Sequence, residues 1–570
     1  RPAAMQARSI IEWDKDDLDA LGLLKVDVLA LGMLSCIQGA FHLLATYYQR
    51  NLSLATIPPE DNATYDMLCR GDSIGVFQVE SRAQMAMLPR LQPRCFHDLV
   101  VQVAIVRPGP IQGDMVHPYL RRRAGLEKVT YPSDALRGVL ERTLGVPLFQ
   151  EQAMQIAIVG AGFTGSEADQ LRRAMATFKK HGDVAKFHDK MISGMIARGY
   201  EPEFAERCFR QIEGFGTYGF PESHAASFAL LVYVSAWIKR HYPDVFICAL
   251  LNAQPMGFYA PAQIVRDARE HGIEIRPICV NNSNWDNHLE RRSDGRLALR
   301  LGFRQIKGMK QEDAEWISAC RGNGYYDIPS LWLRAGLAPA ALERLAEADA
   351  FGGMGLNRRD ALWRIKSIRA DKPLPLLSDP MDGEAIYEPG VDLPTMNLGE
   401  EVVEDYVSIR MSLRAHPVEL LRPLLTGLTP HAELTHIPLG PVDVCGLVIT
   451  RQRPGTASGV IFLTLEDETG VSNVVVWPKV YEQFRTAVIG GRLLRVRGYL
   501  QREGIVVHVI AQEVQDLSPK LAELGHPRDD AIGITDPKTD EAPRPATPKP
   551  RNAWHPRDQA KKLFPSRDFH

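Results

Sequence analysis

No two of the eight cysteines (36, 69, 95, 208, 248, 279, 320 and 445) form a C-x-x-C pair, and none has a histidine at ligand spacing. That scatter argues against a zinc site and for reduced, mostly buried thiols. No apolar run reaches the roughly 18 residues that span a bilayer, and no signal peptide is recognisable. A cytoplasmic location is therefore expected. Neither sign of charge dominates either. With a formal net charge of −2, any nucleic-acid surface must come from local clusters of Lys and Arg. What remains is ordinary: 570 residues, 45% hydrophobic and 24% charged, with room for roughly three to four domains. The sequence opens on Arg1 rather than Met, and it is expected to be a fragment cut from a longer polypeptide on its N-terminal side.

In Leu24-Lys25-Val26-Asp27-Val28 apolar and charged residues alternate, the period of a strand with one buried face. Lys25 and Asp27 therefore point the same way, and aliphatics wall them on both sides. Such a platform suits a metal ion and a phosphate together. A salt-bridge pair on an edge strand has the same spacing and is worth only about 0–1 kcal/mol. The run from Asp19 to Leu34, DALGLLKVDVLALGML, resembles the end of the palm domain in the alpha subunit of bacterial DNA polymerase III, the C family of replicative polymerases. The resemblance implies that Asp27 is the third catalytic aspartate and a metal ligand, with Lys25 beside it. Ile11 to Asp17 and the terminal Ser566-Arg-Asp-Phe-His570 are similar to the error-prone, damage-tolerance paralogue.

Taken in order, residues 1–57 are expected to be the C-terminal part of the palm and 58–290 the fingers. Pro58-Pro59-Glu60-Asp61 marks the boundary, and Gly71 to Arg82 reads as a short strand entering a helix. Arg107-Pro-Gly-Pro110 is a stiff loop that holds Arg107 in one direction, suited to a phosphate or simply to solvent. Arg172, Arg173, Lys179 and Lys180 put four cations within nine residues. A triphosphate carries about four negative charges, and phosphoryl transfer rests on positioning and neutralisation, so the cluster fits a nucleotide site. The lysines also fit a solvated helix end. Gly214 to His224 sets glycines among aromatics and resembles the family's Y-G-F-x-x-S-H element near the nucleotide, matched by Tyr218, Ser223 and His224. Glu222 stands where replicative members usually have lysine.

Residues 291–370 carry a helix-hairpin-helix signature at Leu301 to Met309, in which Gly308 frees backbone N–H groups for a DNA phosphate and Lys307 and Lys310 add charge. A second, degenerate hairpin spans Leu342 to Arg364 with Arg358 and Arg359. Residues 371–440 read as a proline- and acid-rich linker around one helix, Glu401 to Leu424. Residues 441–515 hold five alternating segments around a helix, the order of an OB barrel. Within it Phe462 and Trp477 are able to stack bases, although core packing is the commoner role of each. The stretch 516–570 is expected to be disordered, with Lys561 to His570 as a short docking peptide.

The expected fold is thus multidomain α+β: part of a palm, helical fingers, hairpins, a barrel and a tail. Two functions fit. One is a DNA-directed DNA polymerase using two Mg2+ ions. The resemblance gives its partners as primer-template DNA, deoxynucleoside triphosphates, a sliding clamp and mutagenesis accessory proteins. The other is a non-catalytic DNA-binding scaffold. No Pro-Asp-x-Asp-x-Asp pair precedes Asp27, so this stretch alone is expected not to polymerise.

Overall fold

The computed structural model describes residues 13, 15–22, 29–106, 112–131, 133–175, 184–214, 221–257, 259–368, 393–453, 459–503, 506–525 and 567–569. The helix Leu31–Tyr48 buries Met33, Cys36, Ile37, Ala40 and Leu44, which fall at i, i+3, i+4, i+7 and i+11 on one face, against the helix Pro243–Asn252. The helix Glu222–His241 runs through the middle of the fingers, where Leu231 to Lys239 is buried without a break and packs on Phe96–Ile105. Gly71 to Arg82 forms turns and no strand. Gly75 and Gln78 take positive φ values of 73° and 62°, which a strand cannot hold, and the helix begins at Arg82.

A small sheet of β1 (Ile275–Arg276), β2 (His288–Arg291) and β3 (Leu297–Arg300), in the order β1-β3-β2, links the fingers to the hairpins. One hydrophobic core runs from Met33 to Met411 through fingers, sheet and hairpin region alike. The expected linker also differs. The single helix from Glu401 to Leu424 is replaced by Leu398–Ser408 and Pro417–Leu421. Pro417 has no N–H to give a helix interior, so it opens the second helix at its first position, behind the cap His416. Both helices pack on the turn Ser518–Gly525, and residues Val418 to Leu425 join Cys445, Leu447 and Leu493 in a seam against the barrel.

The barrel consists of β4 (Pro441–Gln452), β5 (Ile461–Glu466), β6 (Val471–Val476), β7 (Leu493–Glu503) and β8 (Val506–Asp516). Its β4 pairs with β7 over the first half and with β5 over the second, which closes the ring. The expected single helix is two short ones, Pro478–Gln483 and Arg485–Gly490. Beyond Leu517 the chain keeps order through the Ser518–Gly525 turn, and β9 (Arg567–Phe569) adds to the barrel.

Candidate nucleic-acid interface

The first hairpin has the geometry that its sequence implies. Gly308 sits at φ 77°, in the left-handed region, and Lys307, Gly308 and Lys310 are all exposed on one loop. Lys310 precedes the helix Gln311–Ala319 and makes no side-chain cap, which leaves first-turn N–H groups for an outside acceptor. Glu312 and Asp313 in that turn already complement the helix dipole, so the cationic pull comes from the two lysines. The N–H of Lys307 is spent on Ser408 O at 2.9 Å, which ties the loop to the Leu398–Ser408 helix.

The second hairpin corrects the expectation for Arg358 and Arg359. Arg358 is 1% exposed and donates to Glu347 O at 3.0 Å, to the carboxylate of Glu401, and to Asp405 at 2.5 Å. Arg359 donates to Pro394 O at 2.7 Å and to Glu400 at 3.2 Å. Both guanidiniums fasten the hairpin to the 393–408 segment. Arg358 shares the buried face of its helix with Ala361 and Ile365, so no phosphate reaches it.

In the fingers, Arg172 lies on the helix Gly165–Met175 and pairs with Asp169, one turn earlier, at 2.9 Å. Arg173 follows on the same helix. Ser223 and His224 occupy the first turn of Glu222–His241, where the Glu222 N–H donates to the Glu151 carboxylate at 2.9 Å and Arg142 lies 3.6 Å from Glu222. The His224 ring centroid is 4.2 Å from that of Phe228. Lys25, Asp27, Arg107, Lys179, Lys180 and Tyr218 fall outside the described residues.

On the outer face of the barrel the sequence pointed to Phe462 but not to the hydrogen-bonding row beside it. Register places Thr450 beside Thr464 and Thr464 beside Asn473, and in the next row Gln452 beside Phe462 and Phe462 beside Val475. Uncharged hydrogen-bonding side chains and one aromatic thus share a surface of the kind on which OB folds hold single strands. The Thr450, Thr464 and Asn473 row lines a cleft of about 370 Å³ whose other wall is the fingers, through Arg70 and Gln263. The alternation in Phe462-Leu-Thr-Leu-Glu466 was the available signal, with Leu463 and Leu465 in the core and the other three outward. Trp477 is 51% exposed at the end of β6.

An ionic clasp fixes that cleft. Arg266 of the fingers donates to Glu466 at 2.8 Å and to the carbonyls of Asp467 and Gly470 at 3.2 Å. Arg422, from the connector, reaches Asp467 at 2.9 Å and Glu468 at 2.8 Å. A second cluster, Asp72, Asp267 and His271, has the spacing of metal ligands. Its centre is taken by the fully buried Lys239 ammonium, 2.8 Å from Asp72 and 3.0 Å from Asp267, so it is a closed ion network. Burial works against the Asp72 charge, yet the His271 hydrogen bond and Lys239 outweigh it and hold the carboxyl well below its usual range. The hydrogen bond to Asp72 in turn raises His271.

Three segments match family descriptions: residues 33–199 the finger domain of the bacterial DNA polymerase III alpha subunit, 272–361 a helix-hairpin-helix motif, and 442–517 an OB-fold nucleic acid binding domain. An error-prone DNA polymerase of Ruegeria pomeroyi is 69% identical over 568 residues, covering 100% of this chain and 51% of that protein. Another, of Sinorhizobium medicae, is 56% identical over 549 residues, 91% of this chain and 49% of that protein. Error-prone DNA polymerase 1 of Rhizobium meliloti is 54% identical over 575 residues, 95% and 51% respectively. The chain spans about half the length of these curated relatives. With identity running through fingers, hairpins and barrel in one order, the chain belongs to the C family of bacterial polymerases, typified by the DNA polymerase III alpha subunit, and is similar to proteins named error-prone DNA polymerase.

Proposed function

We propose that the protein containing this chain is an error-prone, DNA-directed DNA polymerase that performs template-directed nucleotidyl transfer during damage tolerance. The observation that carries the reading is 69% identity along the whole chain to a protein of that name. Asp27 would hold one of two Mg2+ ions, since a carboxylate is the hard oxygen donor that Mg2+ takes, and Lys25 stands beside it. When bound, the metal pair activates the primer hydroxyl and stabilises the leaving pyrophosphate. Around that centre Arg107, Arg172, Arg173, Lys179 and Lys180 neutralise the triphosphate, and Tyr218, Ser223 and His224 border the nucleotide. Glu222 in place of the usual lysine loosens that grip, in keeping with relaxed discrimination. Lys307, Gly308 and Lys310 hold the duplex backbone without reading sequence, and the barrel holds the single strand. Primer-template DNA and deoxynucleoside triphosphates are the substrates. By the family resemblance, a sliding clamp and mutagenesis accessory proteins are the partners, and the setting is the cytoplasm. Among the described residues no helix is long and apolar enough to cross a membrane.

Primer extension by the full-length protein tests the proposal. It should add nucleotides only with template and a divalent cation, and failure under both conditions would leave the chain as a binding scaffold.

A further inference from the structure

The barrel is already complete with five strands, yet a sixth lies on it. β4 pairs with β7 only as far as Leu447, and with β5 from Leu447 to Gln452 across a bulge between Val448 and Thr450. Past Leu447, therefore, one edge of β4 has left its neighbour behind. An open edge presents N–H and C=O groups in a row and is a template for another extended chain. β9 takes that position in parallel, with Arg567 beside Thr450, Asp568 beside Arg451 and Phe569 beside Gln452.

The edge is preformed. Arg451 is 6% exposed, and its guanidinium donates to Val488 O at 2.7 Å and to Gly491 O, which pins the middle of the edge to the helical turn that covers the barrel end. Its occupant is short. Three paired residues contribute few hydrogen bonds, and holding them against the barrel through the connecting segment 526–566 carries a loop-closure cost. A rigid acceptor with a weakly held strand is the arrangement of β-augmentation, in which main-chain pairing supplies the affinity and the strand exchanges. The side chains of Thr450 and Gln452 line the cleft shared with the fingers, so whatever pairs with their backbone also steadies the wall that faces nucleic acid.

We propose that the β4 edge at Thr450–Gln452 is an acceptor site for an extended peptide, and that residues 567–569 of this chain are its resident, displaceable occupant. The site is distinct from the nucleotide and backbone contacts proposed above, and it stands whether or not the protein polymerises. Because residues 567–569 belong to the same chain as the edge, their pairing is intramolecular and competes with a free peptide of the same sequence.

A labelled peptide of residues 561–570 is titrated by fluorescence anisotropy against three chains: the intact chain, the chain ending at Gly525, and the intact-length Arg567→Pro/Asp568→Pro variant. Neighbouring residues of a strand point their N–H groups to opposite sides, so two adjacent prolines remove the one that faces β4. Matched melting curves establish that the variants fold. The chain ending at Gly525 and the proline variant should bind the peptide at least tenfold more tightly than the intact chain, and a peptide carrying both prolines should not bind. Should the intact chain run as a dimer that the peptide dissociates, the acceptor site stands and its resident strand comes from a second copy. Equal affinity for all three chains, no binding to any, or undiminished binding of the proline peptide overturns the proposal.

Discussion

Arg358 and Arg359 look alike in sequence, and the helix that carries them separates them. Arg358 falls in line with Ala361 and Ile365 and is carried into the core, while its carboxylate partners lie about forty residues away, where no local pattern reveals them. Arg358→Ala should therefore cost about 1.5–3 kcal/mol of stability, because it strips buried Asp405 of one of its two arginine partners while Arg414 and Ser412 stay in place. Arg359→Ala should cost under about 1 kcal/mol. Urea unfolding separates the two, and DNA affinity corrected for the folded fraction should not change in either. The Asp72–Lys239–His271 network makes a pH prediction. His271 is raised above its ordinary 6.5, so its contribution is complete below pH 6.5 and is lost as pH rises through the raised value. Asp72 is lowered from 3.8, so its contribution is present above that value and is lost as pH falls toward the lowered one. The stability gap between wild type and His271→Gln should be widest between about pH 4 and 6.5 and should narrow above it. A gap that widened with pH would contradict the assignment.

The barrel was the most legible element, because alternation at period two writes a half-buried strand directly into the sequence, and the five expected segments, Val442 to Thr450, Val460 to Glu466, Ser472 to Pro478, Arg492 to Gln501 and Ile505 to Val514, each lie within two residues of an observed strand. The connector was the least legible. Its prolines and acids look like solvent-facing linker, while the contacts that order it come from distant Arg358, Arg359 and Asp349. The clasp was equally hidden, since Arg266 and Glu466 meet only after folding. Arg266→Gln should destabilise the barrel–fingers junction by about 1.5–3 kcal/mol, and combining it with Glu466→Gln should cost less than the sum of the two single changes. Additive losses in that cycle would mean that the pair is not coupled. At the first hairpin, Lys307→Ala with Lys310→Ala should weaken DNA binding equally across sequences and reduce the salt slope by about two. A loss confined to one sequence would reassign the loop.

At the scale of the molecule, fingers and hairpins share one core and an ionic clasp brings the barrel against them, so the Thr450, Thr464 and Asn473 face of the barrel is turned toward the fingers. This arrangement places a helix-hairpin-helix motif and an OB-fold nucleic acid binding domain on one body. Family and order were readable because the motifs carry them. The catalytic geometry was not, because one carboxylate, Asp27, stands where a two-metal site needs about three, and a strand pattern alone does not place its partners. The most direct test is therefore nucleotide addition by full-length wild type and Asp27→Asn, with primer-template affinity measured alongside. The account predicts that Asp27→Asn abolishes addition while leaving DNA affinity nearly intact, since it removes a metal ligand and leaves the hairpins and barrel untouched. Synthesis near the wild-type rate would contradict it and return Asp27 to a salt bridge on an edge strand.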